Sequence, residues 1–447
     1  MRNDRPFLLQ CILLIAVLLA VLLQGFTHQV PMKPLNGFTE NLQPTQLSFQ
    51  TYYNGSYQKY LTKYAKQNTG FREFLIRNYN QFAYSLLDKI TNNTIVKGSN
   101  DELYLTMYLD EVIGKSLARQ FGNVENAKAD ARRNVEATQA FIDTLQRHGT
   151  RFLFVFCPSK TAIYPEYIPK SYQSQIAGFS LEEYYIELFK EYGIPHIDFY
   201  HYFREIKDRS TYPLYAKPGT HWASSTIPFV SDSLFRKLEE ISGFRLPSIQ
   251  YIDTNLSKQY SVMDGELEAN LNLLFPLRKP AIPRPVFTLC DTVGKDRPNL
   301  LVVGDSYFTP FRQCCFVDAF KNWDFWCYNK EIYSSRPFFN GKQLRNILDA
   351  AEILEEADIV LAVVTSVHFN DYLFGFVPFA MEQLAKGGYS DVEALERIKK
   401  NIRDDGPWYQ SIIQQAEERG ITVEENLQIN AEYVLSNYKQ TKQQMTQ

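Results

Sequence analysis

The sequence predicts an α/β fold: a three-layer α/β/α arrangement around a parallel sheet, with an N-terminal membrane anchor and a helical C-terminal extension. Three observations predict it. Apolar strand-like runs alternate with amphipathic helical stretches between Arg151 and Val364, and consecutive parallel strands need such crossovers. The run Leu300-Leu301-Val302-Val303 leads directly into Gly304-Asp305-Ser306-Tyr307. That is a turn at a strand's carboxyl end, where open α/β sheets place their chemistry. Finally, Phe7 to Leu23 is an apolar run broken only by Gln10, about 17 residues long and so near the lower limit for crossing a bilayer.

The elements follow in chain order. Arg2 and Arg5 precede the apolar run, which holds that end in the cytoplasm and sends the rest of the chain outside the inner membrane. Gln24-Gly25-Phe26-Thr27-His28 offers no small-x-small cleavage site, so residues 1–26 read as an uncleaved anchor rather than a signal peptide. Residues 27–56, with Pro31, Pro34 and Pro44, read as a linker. Tyr57 to Ile90 has helical periodicity interrupted near Thr69-Gly70, and Ile95–Gly98 with Leu103–Leu105 forms a short strand pair. Asn123 to Arg147 is a long helix, with Val124, Ala127, Ala131, Val135, Thr138, Phe141 and Leu145 on one face.

Strands are then expected at Arg151–Phe156, Ile194–Asp198, Leu300–Val303, Phe325–Tyr328 and Ile359–Val364. Helices are expected at Leu181–Tyr192, Ala223–Ile241, Pro310–Phe320 and Gln343–Glu356. Leu246 to Pro298 has little periodicity and reads as an insertion. The α/β domain spans 57–370. Residues 371–447 form the helical extension, with helices at Phe374–Ala385, Asp391–Ile402, Pro407–Arg419 and Val423–Tyr438 and a frayed tail from Lys439.

With 447 residues and 45% hydrophobic content, the chain can bury one large or two moderate cores. A net charge of -3 excludes the broad basic field that nucleic acid requires. The 29 Tyr and 32 Phe suit stacking on sugars, and equally a tyrosine-rich surface over a phenylalanine core. The six cysteines show no metal-ligand spacing; buried thiols or one or two disulfides both fit.

Ser306 sits where a nucleophile would be exposed, and its own N–H can help stabilise an oxyanion; a helix-capping serine is the alternative. His221, in the loop Gly219-Thr220-His221-Trp222, is a candidate base, with His196 and His201 nearby and His368 as a backup. Trp222 and Tyr307 flank the pair. A carboxylate is missing at both expected places: the positions two and three before His221 are Gly219 and Pro218. Asp198, Asp208 and Glu166 are the remaining acid candidates, while Asp305 more naturally shapes its turn. Lys160 and Tyr164 form a candidate rim for sugar. Arg312 is a candidate partner for an acidic sugar, and an exposed helix arginine is the plainer reading.

Several motifs run in an informative order: Asn68-Thr69-Gly70-Phe71-Arg72, Val96-Lys97-Gly98, Cys157-Pro158-Ser159-Lys160, Tyr164-Pro165-Glu166, Tyr215 to Trp222, and Gly304 to Tyr307. In that order the chain resembles the SGNH-hydrolase-like domain of the alginate O-acetyltransferases of the AlgX/AlgJ type, and the related DHHW proteins. The resemblance covers roughly Tyr57 to His368. It implies an extracytoplasmic domain that moves acetyl groups onto hydroxyls of an exported polysaccharide, with a membrane-bound O-acyltransferase as donor partner and no cofactor. It makes Ser306 the nucleophile and His221 the base, and it places the family's acid at Gly219, which cannot serve. Acyl transfer, acetylester cleavage and a catalytically degenerate polysaccharide-binding or assembly subunit therefore all remain open.

Overall fold

The computed structural model describes residues 5–37 and 42–446; Arg2 and Gln447 lie outside the described residues. The described chain divides into two compact units. The first comprises Met1–Thr106, Lys217–Gly219 and Gly265–Pro280, and the second Met107–Ala216, Thr220–Asp264 and Ala281–Gln447.

In the first unit, Arg5–Thr27 is one helix of 23 residues. Its Pro6–Thr27 stretch, with mean hydropathy 2.9, is long and apolar enough to cross a bilayer. Beyond it the helices Phe49–Tyr53, Ser56–Gln67 and Arg72–Leu87 follow. The break between the last two falls at Thr69-Gly70 for a packing reason. A Cβ on Gly70 would run into the Val21 carbonyl oxygen, and one on Gly25 into the Asn68 carbonyl oxygen. The last turns of this apolar helix thus meet the Thr69-Gly70 turn backbone to backbone, as small residues permit. Strands β1 (Ile95–Lys97) and β2 (Leu103–Leu105) pair antiparallel and bury Ile95 and Leu103 against Leu267 and Leu271.

The second unit holds the main sheet. Its strands are β3 (Arg151–Cys157), β4 (His196–Asp198), β7 (Leu300–Gly304), β8 (Trp323–Cys327), β9 (Glu331–Ser334), β10 (Lys342–Gln343) and β11 (Ile359–Thr365). Between β4 and β7, strands β5 (Ser248–Ser257) and β6 (Ile282–Cys290) form a separate antiparallel ribbon. The sheet order is β10-β9-β8-β7-β11-β3-β4. Strands β8, β7, β11, β3 and β4 run parallel; β9 and β10 close one edge antiparallel. The central strands β3, β7 and β11 are apolar along nearly their whole length and almost wholly buried, as expected where helices cover both faces.

The main core gathers Phe141, Phe154, Phe156, Phe189, Trp326 and Phe376 with the branched residues of β7 and β11. A smaller core joins the C-terminal helices Asp391–Asp404, Gly406–Arg419 and Val423–Thr446 through Ile402, Ile412 and Leu427. Those helices group with the sheet, whereas Tyr57–Thr106 groups with the N-terminal apolar helix.

Several elements differ from expectation. The helix after His221 begins at Ile227, because Pro228 occupies its first turn. Pro310–Phe320 is not one helix but the single α-turn Thr309–Arg312 followed by the 3-10 turn Cys315–Ala319. Gln343–Glu356 shortens to the helix Ala350–Glu356. The region 246–298 is the β5–β6 ribbon enclosing helix Val262–Leu271. The tail stays helical to Thr446, held by Lys439 on Asp391 and Lys442 on Glu352. All described cysteines are free thiols.

Candidate active site

β7 lies between β8 and β11, so the turn after it opens at the middle of the sheet's carboxyl edge. Gly304 is required there. A Cβ would strike the Val363 carbonyl oxygen of β11, the same oxygen that accepts from the Asp305 N–H at 3.2 Å. Asp305 is wholly buried. One of its carboxylate oxygens accepts from the Tyr307 N–H at 2.9 Å, and the other from the Thr365 N–H and hydroxyl at 2.7 and 2.6 Å. Its charge thus ties the end of β7 to the end of β11 and caps the 3-10 turn Ser306–Phe308.

Ser306 is half-buried at the head of that turn. Its Oγ lies 2.9 Å from His221 Nε2, although the two are 85 residues apart. The hydroxyl can donate to Nε2 when the imidazole carries its proton on Nδ1. The His221 loop is held in three ways. Tyr215 and Trp222 form a β-bridge across its base. Trp222 Nε1 donates to the Tyr307 carbonyl at 3.2 Å, and the Tyr307 hydroxyl donates to the Thr220 carbonyl at 2.8 Å. The His221 ring sits 5.0 Å from the Tyr307 ring, centroid to centroid.

Tyr328, just past β8, is the residue that motif reading missed. The Ser306 N–H donates to its hydroxyl at 3.4 Å, so a phenol stands beside the amide best placed to meet an oxyanion. Its backbone lies in the left-handed region, φ 52°, and its N–H donates to the Gly304 carbonyl at 2.7 Å. The rings of His368 and Phe374 enclose it at 5.4 and 5.2 Å. Burial lowers the His368 pKa and raises that of Tyr328. The sequence showed Phe325–Tyr328 only as a strand; the pairing of β8 with β7 brings its end beside Ser306.

The other candidates are engaged elsewhere. Asp198 caps the helix Phe199–Ile206 and holds His201 Nδ1 at 2.7 Å. Glu166 pairs with Lys207 at 2.9 Å, and Asp208 is exposed after that helix. His196 packs edge-on to Phe156 and Phe189. Lys160 is buried and donates to the Ala216 carbonyl at 2.9 Å, at the base of the His221 loop. The Tyr164 hydroxyl accepts from the Leu214 N–H at 3.1 Å. Both support the loop's approach. Arg312 stacks its guanidinium over Tyr333 at 4.0 Å.

The site is therefore a serine and a histidine in contact at the carboxyl edge of a parallel α/β sheet. Residues 117–248 match the family model described as SGNH hydrolase-like domain, acetyltransferase AlgX. Over that stretch the chain is similar to the AlgX-type acetyltransferase domain. The matched stretch contains His221 and ends before Ser306.

Among solved structures the chain is similar to the O-acetyltransferase domain of Pseudomonas putida AlgJ, with 14% identity and TM-score 0.40, covering 64% of this chain and 99% of that one. It is similar to Pseudomonas aeruginosa AlgX at 14% identity and TM-score 0.40, covering 66% and 71%. It is similar to Bacillus cereus PatB1 at 10% identity and TM-score 0.35, covering 55% and 92%. At these identities and scores no residue role transfers from them. No curated protein matches the chain in sequence.

Proposed function

We propose that this protein transfers acetyl groups onto hydroxyls of an exported or cell-surface polysaccharide, from a domain held outside the inner membrane by the Arg5–Thr27 helix. The observation that carries the reading is the 2.9 Å approach of His221 Nε2 to Ser306 Oγ, and the match of residues 117–248 to the AlgX family model supports it.

The steps follow from that pair. His221 takes the Ser306 proton as Oγ attacks the donor's acetyl carbonyl. The Ser306 N–H, which donates to the Tyr328 hydroxyl at 3.4 Å in the free site, turns to the developing oxyanion, and the phenol adds its own O–H. The protonated imidazole returns its proton to the departing donor group, leaving acetyl on Ser306. A sugar hydroxyl then attacks, giving its proton to His221, and Oγ leaves as the serine is reprotonated. An integral-membrane O-acyltransferase supplies the acetyl in this reading.

A second reading has one specific observation in its favour. Gly219 stands where the family's acid would, and loss of the orienting carboxylate costs on the order of 10⁴ in rate in the serine-protease template. A non-catalytic glycan-binding or assembly subunit, or a slow acetylesterase, would tolerate that loss.

The test uses the detergent-solubilised chain with 4-nitrophenyl acetate as donor, with and without an oligosaccharide acceptor. The transferase reading expects acetylated sugar from the wild type and none from Ser306→Ala or His221→Ala. Free acetate regardless of acceptor would assign an esterase. Equal, buffer-level turnover in all three proteins would leave only the binding role.

A further inference from the structure

The helix Arg72–Leu87 is built inside out. The side it buries is polar: Arg77, Asn80 and Ala83 are its buried residues. Arg77 donates to the Pro34 and Leu273 carbonyls, and Asn80 to the Leu271 and Asn272 carbonyls. The side it leaves open is apolar. Leu75, Tyr79, Phe82 and Leu86 are 49%, 63%, 52% and 71% exposed, and their spacing puts them on one stripe. A helix in contact only with water and its own core carries the opposite pattern.

A second observation says what covers the stripe. The helix starts two residues after Gly70, and Gly70 packs against the Val21 carbonyl and Gly25 of the apolar anchor helix. Gln24 fixes the chain where it leaves that helix, donating to the Val30 carbonyl at 2.7 Å and accepting from the Val30 N–H at 3.0 Å. The first turn of Arg72–Leu87 is therefore held at the end of the segment that enters the bilayer. The short helix Phe49–Tyr53 adds exposed Phe49, Tyr52 and Tyr53 to the same unit. Aromatic rings with a polar edge favour the headgroup level.

We propose that the outer face of Arg72–Leu87 rests on the lipid surface of the membrane that the Arg5–Thr27 helix anchors, as an interfacial stripe. The unit would then grip the bilayer by a spanning helix and a lying one. This rests on the anchor reading given above.

The test places the photo-crosslinker p-benzoylphenylalanine at Tyr79 or Phe82, and at Ala140 as an exposed control, in the full chain. The protein is reconstituted into vesicles of phosphatidylethanolamine and phosphatidylglycerol and floated. At 79 and 82 aromatic replaces aromatic, and Ala140 is exposed on its helix, so folding is not at stake. The proposal expects phospholipid adducts at 79 and 82 about fivefold or more above position 140. Flotation with control-level adducts would overturn the interfacial stripe and leave the anchor intact. Failure to float would remove the anchor, and the stripe with it. In native membranes, adducts to a protein instead of lipid would give the face to a membrane protein and overturn the proposal.

Discussion

The Tyr307 hydroxyl donates to the Thr220 carbonyl at 2.8 Å, fully buried. Tyr307 follows Ser306 and Thr220 precedes His221, so one hydrogen bond spans the two loops that bring nucleophile and base together. The Trp222–Tyr307 bond runs the opposite way across the same pair of loops. The spacing of Ser306 and His221 is thus set by their neighbours rather than by their own mutual bond. Tyr307→Phe should leave the Thr220 carbonyl buried without its donor, at about 1–3 kcal/mol. The expected result is a lower melting temperature together with a fall in kcat. A full-rate enzyme with unchanged melting would refute this account of the loop.

Tyr328 should matter more for rate than for folding. Its hydroxyl and the Ser306 amide are 3.4 Å apart, close enough to share one oxyanion between them. Tyr328→Phe removes one donor and keeps the ring against His368 and Phe374. If the site turns over, kcat should fall by about 10² with little change in KM, the usual scale for one oxyanion donor. A rise in kcat would instead mean that the phenol blocks the amide.

Asp305 carries a structural charge, although it adjoins the candidate nucleophile. All its described bonds are accepted ones, from Tyr307 and Thr365. Asp305→Asn turns one acceptor into an NH₂ group facing a donor, on either rotamer. A loss on the order of 3 kcal/mol is expected, read by denaturant titration. Activity lost at unchanged stability would point instead to a direct role in the chemistry.

These residues also show what sequence reading can reach. Strands β3, β7 and β11 were legible because a strand buried on both faces is a short, unbroken apolar run. Leu181–Tyr192 was legible because Ser180 and Gly193 cap a clean periodic stretch. The β5–β6 ribbon was not legible. Most of β5 is exposed, so no inward-outward alternation marks it, and Pro283 and Pro285 mask β6. The edge strands β9 and β10 are short and antiparallel. The run 310–320 misled because its apolar residues pack as separate turns, with Phe311 and Phe316 stacking on Phe308 and Phe235. At the site, Ser306 and His221 were visible as motif residues. Tyr328 was visible only as a strand end, since its place depends on which strand lies beside β7.

Gly304→Ala tests the sheet's part in placing Ser306. Its added methyl would meet the Val363 carbonyl, so β7 and β11 must part where Asp305 also bonds. The expected outcome is a destabilised domain whose remaining folded fraction has lost turnover. Wild-type stability and rate would show that the strands can separate there without cost.

A last prediction concerns pH. Burial pushes the Glu111 carboxyl from its ordinary 4.5 up to about 7, with the Ser366 hydroxyl opposing. Glu182 is buried without a hydrogen-bond partner for either oxygen, and burial and then the Glu111 charge raise it well above its ordinary value. The folded state therefore holds a proton on Glu111 that the unfolded chain would release near its ordinary pKa. Stability is fully present below about 4.5 and declines as pH rises through 7, by on the order of 3 kcal/mol from this group. Glu111→Gln keeps the size and removes the titration. Its unfolding free energy should fall less steeply than that of the wild type between pH 5 and about 8. Parallel wild-type and variant curves over that window would show that Glu111 titrates normally, and that its burial is relieved in solution.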